Sequence, residues 1–317
     1  MLLKPTMPSN NTALNSRSSR RKRYFLLLRI GFLIFSCAIL YFLILEIDLT
    51  NISSKKNIYL NFSYFLSGIC AALIANSTGV GGGVVFLPVF ISLGFSPTEA
   101  LAISIAIQCF GMTSGSLSWL QYKSEQHINT YSEWSQFFLI LGLSIAFSFI
   151  GVAYVQLMSP KLLIDIEIAF SIFSIIIGCL IIRITINQAK NTERIIKLNH
   201  SWKIILVIIS GLIGGAITAW ISVGVGEILA ICLIFLGYQL NFAIAIAVCA
   251  SAATVIFALP YHASSVNLEL LVCVAPGALI GGAVARKVTI TIGAYRMKIL
   301  MALWIIFSAV IFLFVSI

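Results

Sequence analysis

Long apolar segments dominate the chain and constrain its fold more than any other feature. A helix rises about 1.5 Å per residue, so about 20 apolar residues cross the hydrocarbon core of a bilayer. Only 9% of the 317 residues are charged and 60% are hydrophobic, which excludes a soluble domain of this length. We therefore predict an all-α, polytopic integral membrane protein. The segments of spanning length are 24–45, 58–77, 98–120, 134–157, 162–183, 202–221, 241–259, 268–285 and 297–317.

The basic residues lie in three clusters between these segments, and the net charge is +10. Lys and Arg accumulate in the cytoplasmic loops of membrane proteins, so the clusters predict a cytoplasmic N-terminus, a cytoplasmic loop at 184–201 and another at 286–298. Aromatic side chains do not alternate with the basic ones, so nucleic acid is not an expected partner. Residues 1–23, rich in Ser, Asn and Arg, are predicted to be disordered, and residues 24–45 to form an extra N-terminal transmembrane helix.

Two shorter apolar segments, 84–93 and 227–236, each follow a cluster of glycines. The first cluster is Gly79-Val80-Gly81-Gly82-Gly83 and the second is Gly224-Val225-Gly226. The two regions correspond at a constant offset, 224 − 81 = 143 residues, with eleven identical residues over 68–103. The chain is therefore predicted to contain a duplicated unit, with repeat 1 at 58–183 and repeat 2 at 202–317.

The charge clusters also predict how the two repeats are oriented. If the short segments did not cross the membrane, the basic loop at 184–201 would lie outside, against the charge rule. If each short segment crosses with the help of extended glycine-rich chain, every repeat has an odd number of crossings and this loop lies inside. The sequence therefore predicts a polytopic helical bundle of two inverted repeats, each with a broken helix.

Matching helix breaks in two inverted halves are typical of secondary transporters, whose substrate site lies between the breaks. The free N–H groups at the start of a half-helix favour an anion, and glycine lets a ligand approach the backbone. We predict a transporter of a small anion by alternating access. An anion channel and a non-transport membrane protein of the same fold remain alternatives. The partners expected are the small anion, the lipid bilayer and a second copy in a homo-oligomer.

Enzyme and cofactor signatures are missing from the sequence. No lysine follows a glycine cluster as in a nucleotide-binding loop, and neither HExxH nor GxSxG occurs. The seven cysteines lie in apolar segments without a CxxC, and only three histidines are present, widely spaced. We therefore expect no catalytic residues, no metal and no cofactor.

The candidate substrate-binding residues lie in the glycine clusters or are polar residues near them. Gln108 corresponds to Ser251 in the repeat. Such polar groups either contact the ligand or bond neighbouring helices. Glu227, in the first turn after the second cluster, either caps the helix facing water or couples transport to protons. The substrate-binding candidates are Asn76, Ser77, Thr78, Gly81, Gly82, Gly83, Gln108, Ser222, Gly224, Gly226 and Ser251.

The glycine clusters, Pro88 and the segment Pro276-Gly277-Ala278-Leu279-Ile280-Gly281-Gly282 resemble the TauE/SafE family of sulfite-exporter-type permeases over about residues 60–315. The resemblance implies a multi-pass permease for sulfite, an organosulfonate or another small organic anion, in the cell membrane of a bacterium. The second cluster departs from the family pattern, because Glu227 stands where a third small residue is usual. The resemblance does not fix the substrate, since substrates vary within the family.

Overall fold

A computed structural model describes residues 10–46, 55–125, 131–158, 165–189 and 201–316. Within those ranges the chain is built from eleven α-helices and one 3-10 turn at Ala263–Ser265. In chain order the helices are α1 Asn10–Glu46, α2 Lys55–Thr78, α3 Gly83–Ser92, α4 Pro97–Glu125, α5 Tyr131–Met158, α6 Ile166–Ala189, α7 Ser201–Ile221, α8 Val225–Phe235, α9 Leu240–His262, α10 Leu268–Ile292 and α11 Ala294–Ser316.

Eight of the helices in the described ranges are long and apolar enough to cross a membrane, namely α1, α4, α5, α6, α7, α9, α10 and α11. Large apolar side chains such as Phe35, Phe138 and Leu300 point outwards from the bundle. In water such a surface would be unfavourable, whereas in lipid it is the expected one. The predicted fold class, an all-α polytopic membrane protein, is confirmed.

The pattern of helix packing in the bundle stays the same when the two predicted repeats are exchanged. The most extensive packing joins α2 to α10 and α5 to α7, and α2 and α5 hold the first and fourth places in repeat 1 while α7 and α10 hold them in repeat 2. The third and fifth helices of each repeat pack on their own counterparts, α4 on α9 and α6 on α11. The helices of the two predicted repeats therefore pack mainly on each other, and both repeats contribute to the core of the bundle.

Glycines allow these helices to approach closely. Gly68 of α2 lies against the carbonyl of Val274 in α10, and Gly211 of α7 lies against the carbonyl of Ser144 in α5. Gly68 and Gly211 correspond in the repeat, since 211 − 68 = 143. A Cβ at either position would overlap the facing backbone, so the paired glycines set the spacing of both interfaces.

The two short helices, α3 and α8, lie at the centre of the bundle. Val84, Leu87, Phe90, Leu229 and Leu233 are all buried. The chain segments that precede these helices are buried as well, so their backbone N–H and C=O groups must be satisfied by protein or by a ligand. The fold thus places irregular backbone at its core.

The structure differs from the sequence prediction at both ends of the chain. Helix α1 begins at Asn10, although residues as far as 23 were predicted to be disordered. The predicted loop at 286–298 is wrong, because α10 continues to Ile292 and only Gly293 separates it from α11. Charged residues were read as the end of a span, but Arg286 and Lys298 are both buried within helices. Most of the predicted loop 184–201, residues 190–200, lies outside the described residues.

Candidate substrate site at the crossed helix breaks

The two helix breaks cross each other in direct contact. The first break separates α2 from α3, and the second separates α7 from α8. A Cβ on Gly83 would overlap the carbonyl of Ser222, and a Cβ on Gly226 would overlap the carbonyl of Gly79. These contacts correspond in the repeat, because 222 − 79 and 226 − 83 both equal 143. Glycine is required at 83 and 226 because backbone packs on backbone there.

Each break begins with a residue in the left-handed region of backbone conformation. Gly79 has φ 79°, and the corresponding Ser222 has φ 60°. Within the described ranges Ser222 is the only non-glycine residue with a positive φ. This conformation ends a helix and costs a residue with a Cβ about 1–2 kcal/mol. Strain of this kind persists where the surrounding structure requires it, which is typical of functional sites.

The carboxylate of Glu227 joins the two breaks. The N–H of Gly81 donates to its Oε1 at 2.6 Å, and the N–H of Gly224 donates to its Oε2 at 2.8 Å. Gly81 and Gly224 are corresponding positions, so one carboxylate satisfies the same N–H group of both repeats. Glu227 has no solvent exposure. It caps the second half-helix from inside the protein. One of the two sequence interpretations instead had this capping carboxylate facing water.

The next N–H group of each break is also satisfied by a side chain. The N–H of Gly82 donates to Oε1 of Gln108 at 2.9 Å, and the N–H of Val225 donates to Oγ1 of Thr218 at 3.1 Å. These two N–H groups correspond as well, since 225 − 82 = 143. Side chains therefore accept hydrogen bonds from four backbone N–H groups, three of which belong to the predicted substrate-binding residues Gly81, Gly82 and Gly224.

Gln108 of α4 also holds the second break in place. Its Nε2 donates to the carbonyl of Ser222 at 3.2 Å and to the Ser222 hydroxyl at 2.7 Å. The Ser222 hydroxyl is also 2.9 Å from the Ser104 hydroxyl. Gln108 is 2% exposed. One side chain therefore satisfies both breaks, accepting a hydrogen bond from the first and donating to the second.

Ser251 of α9, the counterpart of Gln108, is placed differently. It is 4% exposed, and its hydroxyl has no hydrogen-bond partner among the described residues. The hydroxyl lies next to the Cα of Gly226, where an added Cβ would be 2.6 Å away. A buried hydroxyl without a partner is unfavourable and can satisfy a ligand. Beside the second break, the polar side chain Ser251 thus has no hydrogen-bond partner among the described residues. Beside the first break, its counterpart Gln108 makes several hydrogen bonds.

Lys298 of α11 is the site residue that sequence reasoning missed. It is 2% exposed, and Glu227 is the charged group that acts on it electrostatically. Among the described residues it makes neither a hydrogen bond nor an ion pair within 4.0 Å. The sequence prediction placed it in a loop. Its position in the fifth place of an apolar helix was the available signal, because a charged residue inside a spanning helix usually has a functional role.

Three other predicted site residues, at the end of α2, bond the backbone of helices. The amide of Asn76 donates to the carbonyls of Ala72 and Gly111, and the Ser77 hydroxyl donates to that of Ala285. The Thr78 hydroxyl donates to carbonyls of its own helix. These contacts fasten α2 to α4 and α10. The remaining predicted residues, from Gly81 to Ser251, lie together around the crossed breaks.

A family model described as Sulfite exporter TauE/SafE matches residues 64–312. The matched region covers well over half of the chain and includes both breaks, Glu227 and Lys298. No curated protein and no solved structure matches the chain. The match confirms the resemblance that the glycine clusters indicated.

Proposed function

The chain belongs to the TauE/SafE sulfite exporter family of membrane transporters, and on that premise we propose that it is a secondary transporter of a small anion. Sulfite or an organosulfonate is the proposed substrate, and the crossed breaks are the proposed site. Alternating access of the two repeats around the breaks is the proposed mechanism.

One observation carries this proposal: an anionic group already lies at the crossing. The Glu227 carboxylate accepts hydrogen bonds from the N–H groups of Gly81 and Gly224. Sulfite and sulfonate groups, like a carboxylate, carry several acceptor oxygens on one central atom. The positive ends of two half-helices stabilise such a group without a long cationic side chain.

Glu227 also connects the two repeats, which suggests how a proton is coupled to movement. Glu227 and Gly224 belong to repeat 2 and Gly81 to repeat 1, so the Gly81–Glu227 hydrogen bond crosses between the halves. A protonated Glu227 loses the charge that makes both hydrogen bonds strong. Its release would free the N–H groups and allow the halves to move relative to each other.

The orientation in the membrane follows from where charged side chains gather. Arg286 pairs with Glu125 at 3.3 Å, and Lys123 with Glu133 at 3.6 Å. Arg29 of α1 donates to Gln121 and to a carbonyl of α10 at the same end of the bundle. Basic side chains of three helices thus gather at one end of the bundle, so this end is the proposed cytoplasmic face of a cell membrane.

Counterflow in proteoliposomes tests the transport mechanism. Liposomes loaded with unlabelled sulfite should accumulate external labelled sulfite above equilibrium, because a carrier exchanges one anion for another at a single site. A channel gives no such accumulation, and its flux follows the membrane potential. Linear, potential-driven flux without counterflow would replace the transporter proposal with the channel. Absence of sulfite flux, with counterflow of an anionic organosulfonate such as methanesulfonate, would assign the substrate class.

The role of Glu227 in coupling is tested by Glu227→Gln. We expect counterflow to continue while net transport loses its dependence on an imposed pH gradient, because the amide cannot take up a proton. Glu99→Gln is the matched control, since Glu99 is exposed and caps the start of α4 by accepting from Ser96. It should transport as the wild type does. Full pH-driven transport by Glu227→Gln would exclude Glu227 as the coupling group.

A further inference from the structure

Lys298 is a buried cation whose charge is only partly balanced. Removing an ammonium group from water is strongly unfavourable unless it is paired. Its ammonium interacts electrostatically with Glu227, but the two groups lie farther apart than an ion pair. Helix α11 contacts α3, which follows the first break, and α9, which carries Ser251. A small anion between this ammonium and the breaks would complete its pairing.

Ser251 is a second, independent indication of a ligand site. Its buried hydroxyl has no partner among the described residues and lies against Gly226 of the second break. Ser251 and Lys298 belong to different helices, α9 and α11. A donor hydroxyl and an ammonium are the groups that bind an oxyanion. Together with the N–H groups of Gly81 and Gly224 they make four donor groups, and Glu227 accepts hydrogen bonds only from the two N–H groups.

We propose that Glu227 is a built-in occupant of the substrate site, and that the transported anion displaces it from the N–H groups of Gly81 and Gly224 while Lys298 and Ser251 bind the anion. This inference rests on the proposed function. It adds that substrate and carboxylate compete for the same donors, and that Lys298 is the counter-cation for either one.

Competition follows from the number of donors and from charge. Each of the two N–H groups donates one strong hydrogen bond, and Glu227 takes both with its two oxygens. A substrate anion beside an ionised carboxylate would also be repelled, since two like charges in one buried site are strongly disfavoured. The site therefore holds either anion tightly, but not both.

The competition is tested by measuring sulfite affinity calorimetrically at one fixed pH for the detergent-solubilised protein. Glu227→Gln should bind sulfite about tenfold more tightly than the wild type, because a glutamine side chain has one acceptor oxygen and releases at least one N–H group. Glu99→Gln should bind as the wild type does. An unchanged or weaker affinity in a correctly folded Glu227→Gln would overturn the competition.

The role of Lys298 is tested separately, with a charge-conserving variant. Lys298→Met should weaken sulfite binding about a hundredfold, whereas Lys298→Arg should restore most of it. Lys287→Met, at an exposed position of α10, is the control for loss of a positive charge and should leave affinity unchanged. Wild-type affinity in Lys298→Met, or equal loss in the Arg and Met variants, would remove Lys298 from the site.

Counterflow separates this inference from the proposed function. If the wild-type protein shows counterflow and Glu227→Gln binds sulfite with unchanged affinity, the transporter proposal stands and the competition between Glu227 and substrate is excluded. If the wild-type protein shows no counterflow and Glu227→Gln still binds sulfite about tenfold more tightly, the competition stands and the transporter proposal is excluded. Gel filtration and thermal unfolding of each variant identify the folded samples.

Discussion

The two helix breaks have the same backbone plan and different side chains. The first break has glycine at 79, 81, 82 and 83, so it offers only backbone groups. The second has Ser222 and Val225 at two of those places, with Glu227 directly after it. The first break therefore supplies N–H groups, while the second supplies both N–H groups and the carboxylate that binds them.

The neighbouring helices show the same division. Gln108 beside the first break makes hydrogen bonds to both breaks, whereas Ser251 beside the second leaves its hydroxyl without a partner among the described residues. The difference between the two predicted repeats therefore places a side chain with its hydrogen bonds made on one side of the crossing and one without a partner among the described residues on the other.

The largest effect is expected from the glycines that the two breaks share. Gly83→Leu and Gly226→Leu should each reduce counterflow to the level of protein-free liposomes, because the new side chain would displace the facing backbone. Gly142→Leu is the control, since a Cβ at Gly142 meets nothing within 4 Å. Normal counterflow in either break variant would show that the backbone contact is not needed for transport.

A smaller effect should separate Gln108 from its counterpart. Gln108→Leu should lower the free energy of unfolding by about 2–4 kcal/mol, because Gly82 and Ser222 lose buried partners. Ser251→Ala should change it by less than about 0.5 kcal/mol, since no protein hydrogen bond is lost within the described structure. Thermal unfolding in detergent measures both. Equal changes in the two variants would contradict the difference in hydrogen bonding between Gln108 and Ser251.

The smallest effect is expected at the left-handed residues. Ser222→Gly relieves about 1–2 kcal/mol of backbone strain and loses hydroxyl hydrogen bonds worth about 1 kcal/mol each, so the free energy of unfolding should change by under about 1 kcal/mol. Gly79→Ala introduces the same strain without compensation and should destabilise by about 1–2 kcal/mol. Thermal unfolding of both variants tests the comparison. A larger loss of unfolding free energy in Ser222→Gly than in Gly79→Ala would contradict it.

Much of this arrangement was predictable because it depends on local patterns. Apolar length indicates spanning helices, and glycines inside apolar segments indicate breaks, since both follow from what a bilayer requires of the backbone. The matching glycines at 81 and 224 also predicted that the breaks belong together. Glu227 was identified as a candidate, although its partner Gly81 lies in the other repeat.

Other features were not predictable because they depend on contacts between distant segments. The clustering of basic residues predicts cytoplasmic loops, and it placed Lys298 in a loop although this residue also begins the predicted span 297–317. A lysine is tolerated inside the bundle only where another group offsets its charge, and that group, Glu227, is in another helix. Asn76, Ser77 and Thr78 are predicted ligand contacts, and the sequence did not reveal that they also donate hydrogen bonds to carbonyls of their own and neighbouring helices.

The sequence by itself determined that this chain forms a helical membrane protein with two corresponding helix breaks, because composition and spacing act locally along the chain. Only the tertiary structure decided that the breaks touch, that one carboxylate satisfies both, and that a lysine of α11 is buried. Those facts depend on side chains from helices far apart in sequence. Their hydrogen bonds and charges become strong only when packing removes water from between them.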